Sequence, residues 1–121
     1  MVAGVEAIVG ARSDPLYGPL LLVGAGGVLV ELANDAALRL LPVTAADITA
    51  MIDGLRLKEL LAGFRGRAPA DRAALEAAAL ALAKFYLDHR AAIAEIEINP
   101  LTVQHNGAVP VDVRVIWRET N

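Results

Sequence analysis

Ile96-Glu97-Ile98-Asn99-Pro100 and Val111-Asp112-Val113-Arg114-Val115-Ile116-Trp117 flank Asn106-Gly107 near the end of a 121-residue chain. Asn-Gly is a preferred two-residue loop of a β-hairpin, because both loop positions need positive φ. A loop there puts Asn99 opposite Arg114 and Glu97 opposite Ile116. Strand side chains alternate between faces, so Glu97, Asn99, Asp112 and Arg114 share one side, and Ile96, Ile98, Val113, Val115 and Trp117 share the other. Asn99 and Asp112 then become diagonal neighbours, about 7 to 8 Å apart and close enough to converge on one small cation. A bulge near Pro100 would shift this register.

Upstream of the hairpin the chain reads as short strands followed by helices. Residues 2–11 alternate as a strand with one buried face, and 12–19 form a turn-rich loop around Pro15, Gly18 and Pro19. Strands are expected at 20–23 and 28–32, with Gly24-Ala25-Gly26-Gly27 as a tight turn between them. Asn34-Asp35 marks another turn before a strand at 38–41. Thr44 is the expected N-cap of a helix over 45–52 that stops at Gly54. A helical turn or two at 57–61 precedes a basic connector, Gly63-Phe64-Arg65-Gly66-Arg67. Pro69 and Asp71 open the longest helix, which runs to about His89 with Leu75, Ala78, Ala79, Leu82, Phe85 and Tyr86 on its apolar face. Strands, then helices, then a closing hairpin define an α+β domain, a mainly antiparallel sheet with helices packed on one face.

Composition narrows the function classes. Hydrophobic residues are 56% and aromatics only 4%, with a mean hydropathy of +0.50, so the core is aliphatic and part of the apolar surplus is expected to meet a partner. A net charge of -3 without a Lys/Arg cluster argues against nucleic acid. No Cys is present, which removes disulfides and thiolate metal sites. The first residues do not read as a signal peptide, and residues 20–30 are too short and Gly-rich to span a bilayer. A cytoplasmic protein without membrane contact is expected.

Two readings of the hairpin face stay open on spacing alone. Mg²⁺ takes oxygen ligands and usually only one or two from protein, a demand that one Asn and one Asp meet. In the alternative, Asn99 caps a turn before Pro100 and Asp112 pairs with Arg114 on a solvated face. Zn²⁺ is disfavoured because His89 and His105 stand far apart in different elements. Gly24-Ala25-Gly26-Gly27 lacks the Lys-Ser/Thr ending of a phosphate loop.

Taken together, Gly4-Val5-Glu6-Ala7-Ile8-Val9-Gly10, Asp14-Pro15-Leu16-Tyr17-Gly18-Pro19, Gly24-Ala25-Gly26-Gly27-Val28-Leu29-Val30-Glu31, Arg39-Leu40-Leu41-Pro42-Val43-Thr44, Gly63-Phe64-Arg65-Gly66, Glu95-Ile96-Glu97-Ile98-Asn99-Pro100-Leu101 and Val111-Asp112-Val113-Arg114 carry a resemblance. The succession resembles the C-terminal part of the ATP-grasp domain of NDP-forming acyl-CoA synthetases, relatives of the succinyl-CoA synthetase β subunit, and covers nearly the whole chain. Tyr17 stands where Phe is usual. The resemblance implies that Asn99 and Asp112 ligate Mg²⁺ on the phosphates of ATP or ADP, and that Arg114 binds near those phosphates. It further implies that Glu97 lies beside the docking site of a phosphohistidine loop borne by another domain or subunit. The reaction so implied is acid, CoA and ATP to acyl-CoA, ADP and phosphate. It also implies that residues 1–121 form a single subdomain lacking the N-terminal ATP-grasp half and the CoA-binding and ligase domains, so the chain alone is expected to be inactive. The implied partners are the nucleotide and the CoA-binding domain or subunit. The competing expectation is a non-enzymatic module that self-associates as a homo-oligomer.

Overall fold

The computed structural model describes residues 4–26, 35–63, 66 and 68–119. Strand β1 (Val5–Asp14) and strand β2 (Gly18–Ala25) form an antiparallel hairpin. The Asp14 carboxylate closes it, accepting from the Leu16 N–H at 2.8 Å and the Tyr17 N–H at 3.0 Å. Arg12, Ser13 and Asp14 pair with Leu20, Pro19 and Gly18, so β1 continues three residues past the end expected at Ala11. β2 likewise takes in Gly24 and Ala25, which the sequence placed in a turn. Gly24 fits there because it has no side chain: a Cβ would lie 2.6 Å from the Asp35 carbonyl oxygen. The expected strand at 28–32, Gly27 and Asn34 lie outside the described residues, as do Phe64, Arg65 and Arg67 of the connector. Strand β3 (Ala36–Leu40) pairs with the other edge of β2.

Helix α1 (Ala45–Asp53) starts at a capping box in which Thr44 and Asp47 satisfy each other's backbone N–H, and it ends at Gly54. Helix α2 (Leu57–Leu61) is held by Asp35, whose two carboxylate oxygens accept from the Arg56 and Leu57 N–H groups at 2.9 Å each. Helix α3 (Arg72–His89) begins at Asp71, whose side chain accepts from the Ala74 N–H. Its buried stripe is Leu75, Ala79, Leu82, Ala83 and Tyr86. Phe85 was expected on this stripe but is 44% exposed and stacks on His89, with ring centroids 4.2 Å apart. One residue is about 100° of helix, so the turn that buries Tyr86 carries Phe85 off the core face. Tyr86 keeps its hydroxyl satisfied inside the core, donating to the Ala94 carbonyl at 3.0 Å and lying 2.6 Å from Ser13 Oγ.

Strand β4 (Ile93–Val103) joins the far edge of β1, and β5 (Ala108–Pro110) and β6 (Val113–Trp117) share the outer edge of β4 in succession. All pairings are antiparallel, in the order β3-β2-β1-β4 with β5 and β6 outermost. Ala7, Val9, Ala11, Leu21, Val23, Ile96, Leu101 and Val103 bury against Ile48, Ile52, Leu57, Leu75 and Tyr86 of the helices. The expected α+β architecture, with helices on one face of an antiparallel sheet, is therefore the observed one. The apolar side of the closing hairpin is covered unevenly: Ile96 is buried, whereas Val113 is 51% and Trp117 66% exposed at the sheet edge.

Two capping carboxylates, Asp47 at the start of α1 and Asp14 at the β1–β2 turn, make this fold acid-sensitive. The Thr44 backbone N–H and, less strongly, the Thr44 side chain and Arg39 hold Asp47 below its ordinary pKa. The Tyr17 N–H, then the Leu16 N–H, do the same for Asp14. A carboxyl with a depressed folded pKa adds stability that is complete above the unfolded pKa and lost as pH falls through the folded one. The melting temperature should therefore fall below about pH 4. Asp47→Asn should melt lower than wild type at pH 6, with the gap narrowing at pH 3, as followed by circular dichroism.

Candidate functional site

The hairpin register places the site, and it differs from the sequence expectation. Val103 pairs with Ala108, Thr102 with Val109 and Leu101 with Pro110; beyond Pro100, Ile98 pairs with Val113 and Glu97 with Arg114. Glu97, not Asn99, therefore faces Arg114. Asn99 lies opposite Asp112, its backbone N–H donating to the Asp112 carbonyl at 3.0 Å. The loop closes on Gln104 and Gly107, with His105 and Asn106 between them, and Asp71 at the start of α3 holds both closing residues. Its carboxylate accepts from the Gly107 N–H at 2.8 Å and its own N–H donates to the Gln104 carbonyl at 2.6 Å. The Gln104 N–H donates to the Gly107 carbonyl at 2.9 Å.

The shift amounts to one residue on each strand, which preserves the shared face. Glu97, Asn99, Asp112 and Arg114 still project together, and they line one depression of about 200 Å³. Asn99 and Asp112 change from diagonal to direct neighbours, which shortens the span a shared ligand must bridge. A bulge does lie near Pro100, but in the pairing with β1, and the hairpin register runs unbroken past Pro100. Between Ala7 opposite Leu101 and Val9 opposite Ile98, β4 carries two residues, Asn99 and Pro100, against Ile8 alone. Bulges of this kind re-aim side chains beside functional sites. Pro100 suits the position because it has no N–H to leave unpaired.

The site lies on the face of the sheet away from the helices. Gly10 on β1 lies opposite Glu97 on β4 and Leu22 on β2. The Asn99 amide nitrogen donates to Glu97 Oε1 at 3.2 Å, which leaves the amide oxygen as its ligand atom. Arg114 Nη2 donates to Glu97 Oε2 at 3.3 Å and to Glu95 Oε2 at 2.9 Å. Arg114 thus pairs with Glu95 and Glu97, not with Asp112 as the solvated-face alternative required. Glu95 was missed in the sequence reading, although its spacing of two from Glu97 put it on the same face. His89 and His105 stay out of the depression. His105 lies in the hairpin loop with Nδ1 2.8 Å from the Pro69 carbonyl, and His89 Nδ1 lies 2.9 Å from the Phe85 carbonyl.

The donor set fits a hard cation that arrives with its own oxygens. Asn99 and Asp112 offer an amide oxygen and a carboxylate, the economy Mg²⁺ shows when phosphates complete its shell. Among the described residues, no group of three or more His, Cys, Asp or Glu could hold a metal by itself. The site is therefore suited to a cation shared with a ligand, not to a closed protein cage.

A family model for the ATP-grasp domain matches residues 1–116, and the chain belongs to that family. Its relatives within it are ADP-forming acyl-CoA ligases. It is 37% identical over 117 residues to the β subunit of acetate–CoA ligase [ADP-forming] II of Pyrococcus furiosus, covering 95% of this chain and 50% of that subunit. It is 36% identical over 116 residues to acetate–CoA ligase [ADP-forming] I of Archaeoglobus fulgidus, covering 96% of this chain and 17% of that protein. The fold superposes with a TM-score of 0.91 and 36% identity on dinucleotide-forming acetyl-coenzyme A synthetase 1 of Ca. Korarchaeum cryptofilum, covering 98% of this chain and 55% of that one. That structure holds coenzyme A and Mg-AMPPCP, with a phosphohistidine segment pointing towards its nucleotide-binding site. The chain thus spans between 17% and 55% of the length of these proteins. Among the described residues no helix is long and apolar enough to cross a membrane.

Proposed function

We propose that this chain supplies the Mg²⁺- and phosphate-binding wall of an ADP-forming acyl-CoA synthetase. The observation that carries the reading is the convergence of Glu97, Asn99, Asp112 and Arg114 on one depression of the helix-free sheet face. Asn99 Oδ1 and the Asp112 carboxylate would hold the cation, and a Mg²⁺ bound there would neutralise charge on the β- and γ-phosphates during phosphoryl transfer. Arg114 offers N–H donors to the same phosphate oxygens, where electrostatic stabilisation counts most. Glu97 fixes the Asn99 amide so that its oxygen faces the ligand. In this reading Glu97 also borders the approach of a phosphohistidine segment carried by a partner domain or subunit, which ferries the phosphoryl group towards the acyl substrate.

The wall is one side of a site. Relatives are longer than this chain, so we further propose that it binds nucleotide weakly by itself and catalyses the ligase reaction only with the remaining domains. A titration of the ¹⁵N-labelled chain with ADP, in Mg²⁺ and then in EDTA, followed by amide NMR shifts, tests the reading. Saturable shifts at Asn99, Asp112 and Arg114 that vanish with EDTA are expected. Shifts indifferent to Mg²⁺, or none up to tens of millimolar ADP, would sink it.

A further inference from the structure

Glu95 stands one pleat beyond the proposed wall, on the same face of β4 as Glu97 and directly across from Ile116 on β6. Its carboxylate makes the shorter of the two contacts to Arg114, 2.9 Å against 3.3 Å for Glu97, and both land on the same guanidinium nitrogen, Nη2. Of the five guanidinium N–H donors, the one on Nε and the two on Nη1 have no acceptor among the described residues. The side chain of Glu95 is 26% exposed and that of Arg114 64%. A half-buried carboxylate therefore holds one corner of a mostly solvated arginine. Such a pair contributes little to folding, so its consequence is where the guanidinium stays.

We infer that Glu95 is a positioning residue for ligand binding: it tethers Arg114 by Nη2 over the depression and leaves the Nε and Nη1 donors free for a phosphate oxygen. Glu97 cannot do this alone. It already accepts from the Asn99 amide, and in the proposed reading its surroundings change when a cation reaches Asn99 and Asp112. With Glu95 as a second anchor, Arg114 stays over the site throughout. Arg12 lies across from Glu95 on β1, yet the two make no ion pair.

This inference rests on the Mg²⁺-nucleotide reading, and its test separates the two. Glu95→Gln keeps the size of the side chain and removes one negative charge. If Glu95 acted only as a nearby charge, its loss would tighten binding of an anionic nucleotide. If it is the tether, the loss frees a flexible side chain that must be ordered again on binding, and affinity falls. In the NMR titration with Mg-ADP we expect Glu95→Gln to bind about 3- to 10-fold more weakly than wild type, with an unperturbed amide spectrum away from the site. In an Arg114→Ala background, adding Glu95→Gln should leave Kd where Arg114→Ala alone puts it. Equal or tighter binding by Glu95→Gln overturns the tether while the nucleotide reading stands. An equal loss in the Arg114→Ala background overturns it too. Absence of Mg²⁺-dependent binding in wild type defeats the reading itself, and the tether with it.

Discussion

Asp112→Ala should abolish the Mg²⁺-dependent part of nucleotide binding while leaving the domain folded. Asp112 is exposed, and its tie to the sheet is the backbone carbonyl that accepts from the Asn99 N–H at 3.0 Å, a bond the substitution keeps. What is lost is the one full negative charge on the strand opposite Asn99. A hard cation with only one or two protein ligands depends heavily on each of them. Loss of a supporting group around a metal commonly costs 10- to 100-fold, and loss of a ligand should cost at least about that. Asp112→Asn keeps an oxygen without the charge and should fall between wild type and alanine. In a titration with Mg-ADP, Asp112→Ala should match wild type in EDTA. If Asp112→Ala binds within about two-fold of wild type in Mg²⁺, the cation does not sit there.

The site was legible in the sequence to the extent that parity is. Glu97, Asn99, Asp112 and Arg114 stay on one face under any register shift that moves both strands by one, because side chains repeat every two residues. The pairing itself was not legible. Asn106-Gly107 fits a two-residue loop on local propensity, and Asp71, thirty-six residues away from Gly107, overrides it by claiming the Gly107 N–H. Tertiary contacts of this kind leave no local trace. Helix starts at Thr44 and Asp71 were readable because a cap is a local hydrogen bond. The ends of β1 and β2 were not, since the sheet recruits Arg12, Ser13, Gly24 and Ala25 through pairing that turn propensity alone argues against. The burial of Tyr86 in place of Phe85 likewise depends on Ser13 and Ala94 meeting its hydroxyl.

Asp71 is accordingly where the largest loss of stability from one polar substitution is expected. One carboxylate oxygen caps α3 through the Ala74 N–H at 3.1 Å, and the other accepts from Gly107 at 2.8 Å. Removing an N-cap costs about 1 kcal/mol. A charge-assisted bond whose partner N–H is then left part-buried and unpaired adds about 1.5 to 3 kcal/mol. Asp71→Ala should thus lose about 2.5 to 4 kcal/mol in urea unfolding, a large share of what a domain this size possesses. Asp71→Asn separates the two contributions. Its single amide oxygen can still cap Ala74, but its NH₂ meets the Gly107 N–H donor to donor, so it should lose the loop bond alone. The loop bond also fixes the hairpin register, and the consequence reaches the site. With Asp71→Asn the Gln104 to Gly107 segment is free to relax towards the Asn106-Gly107 turn, which moves Arg114 away from Glu97 and back opposite Asn99. Cross-strand amide contacts by NMR would report this directly, as loss of the Glu97 to Arg114 pairing. Should Asp71→Asn keep that pairing and full stability, the register is held by the strands themselves and Asp71 is only a cap.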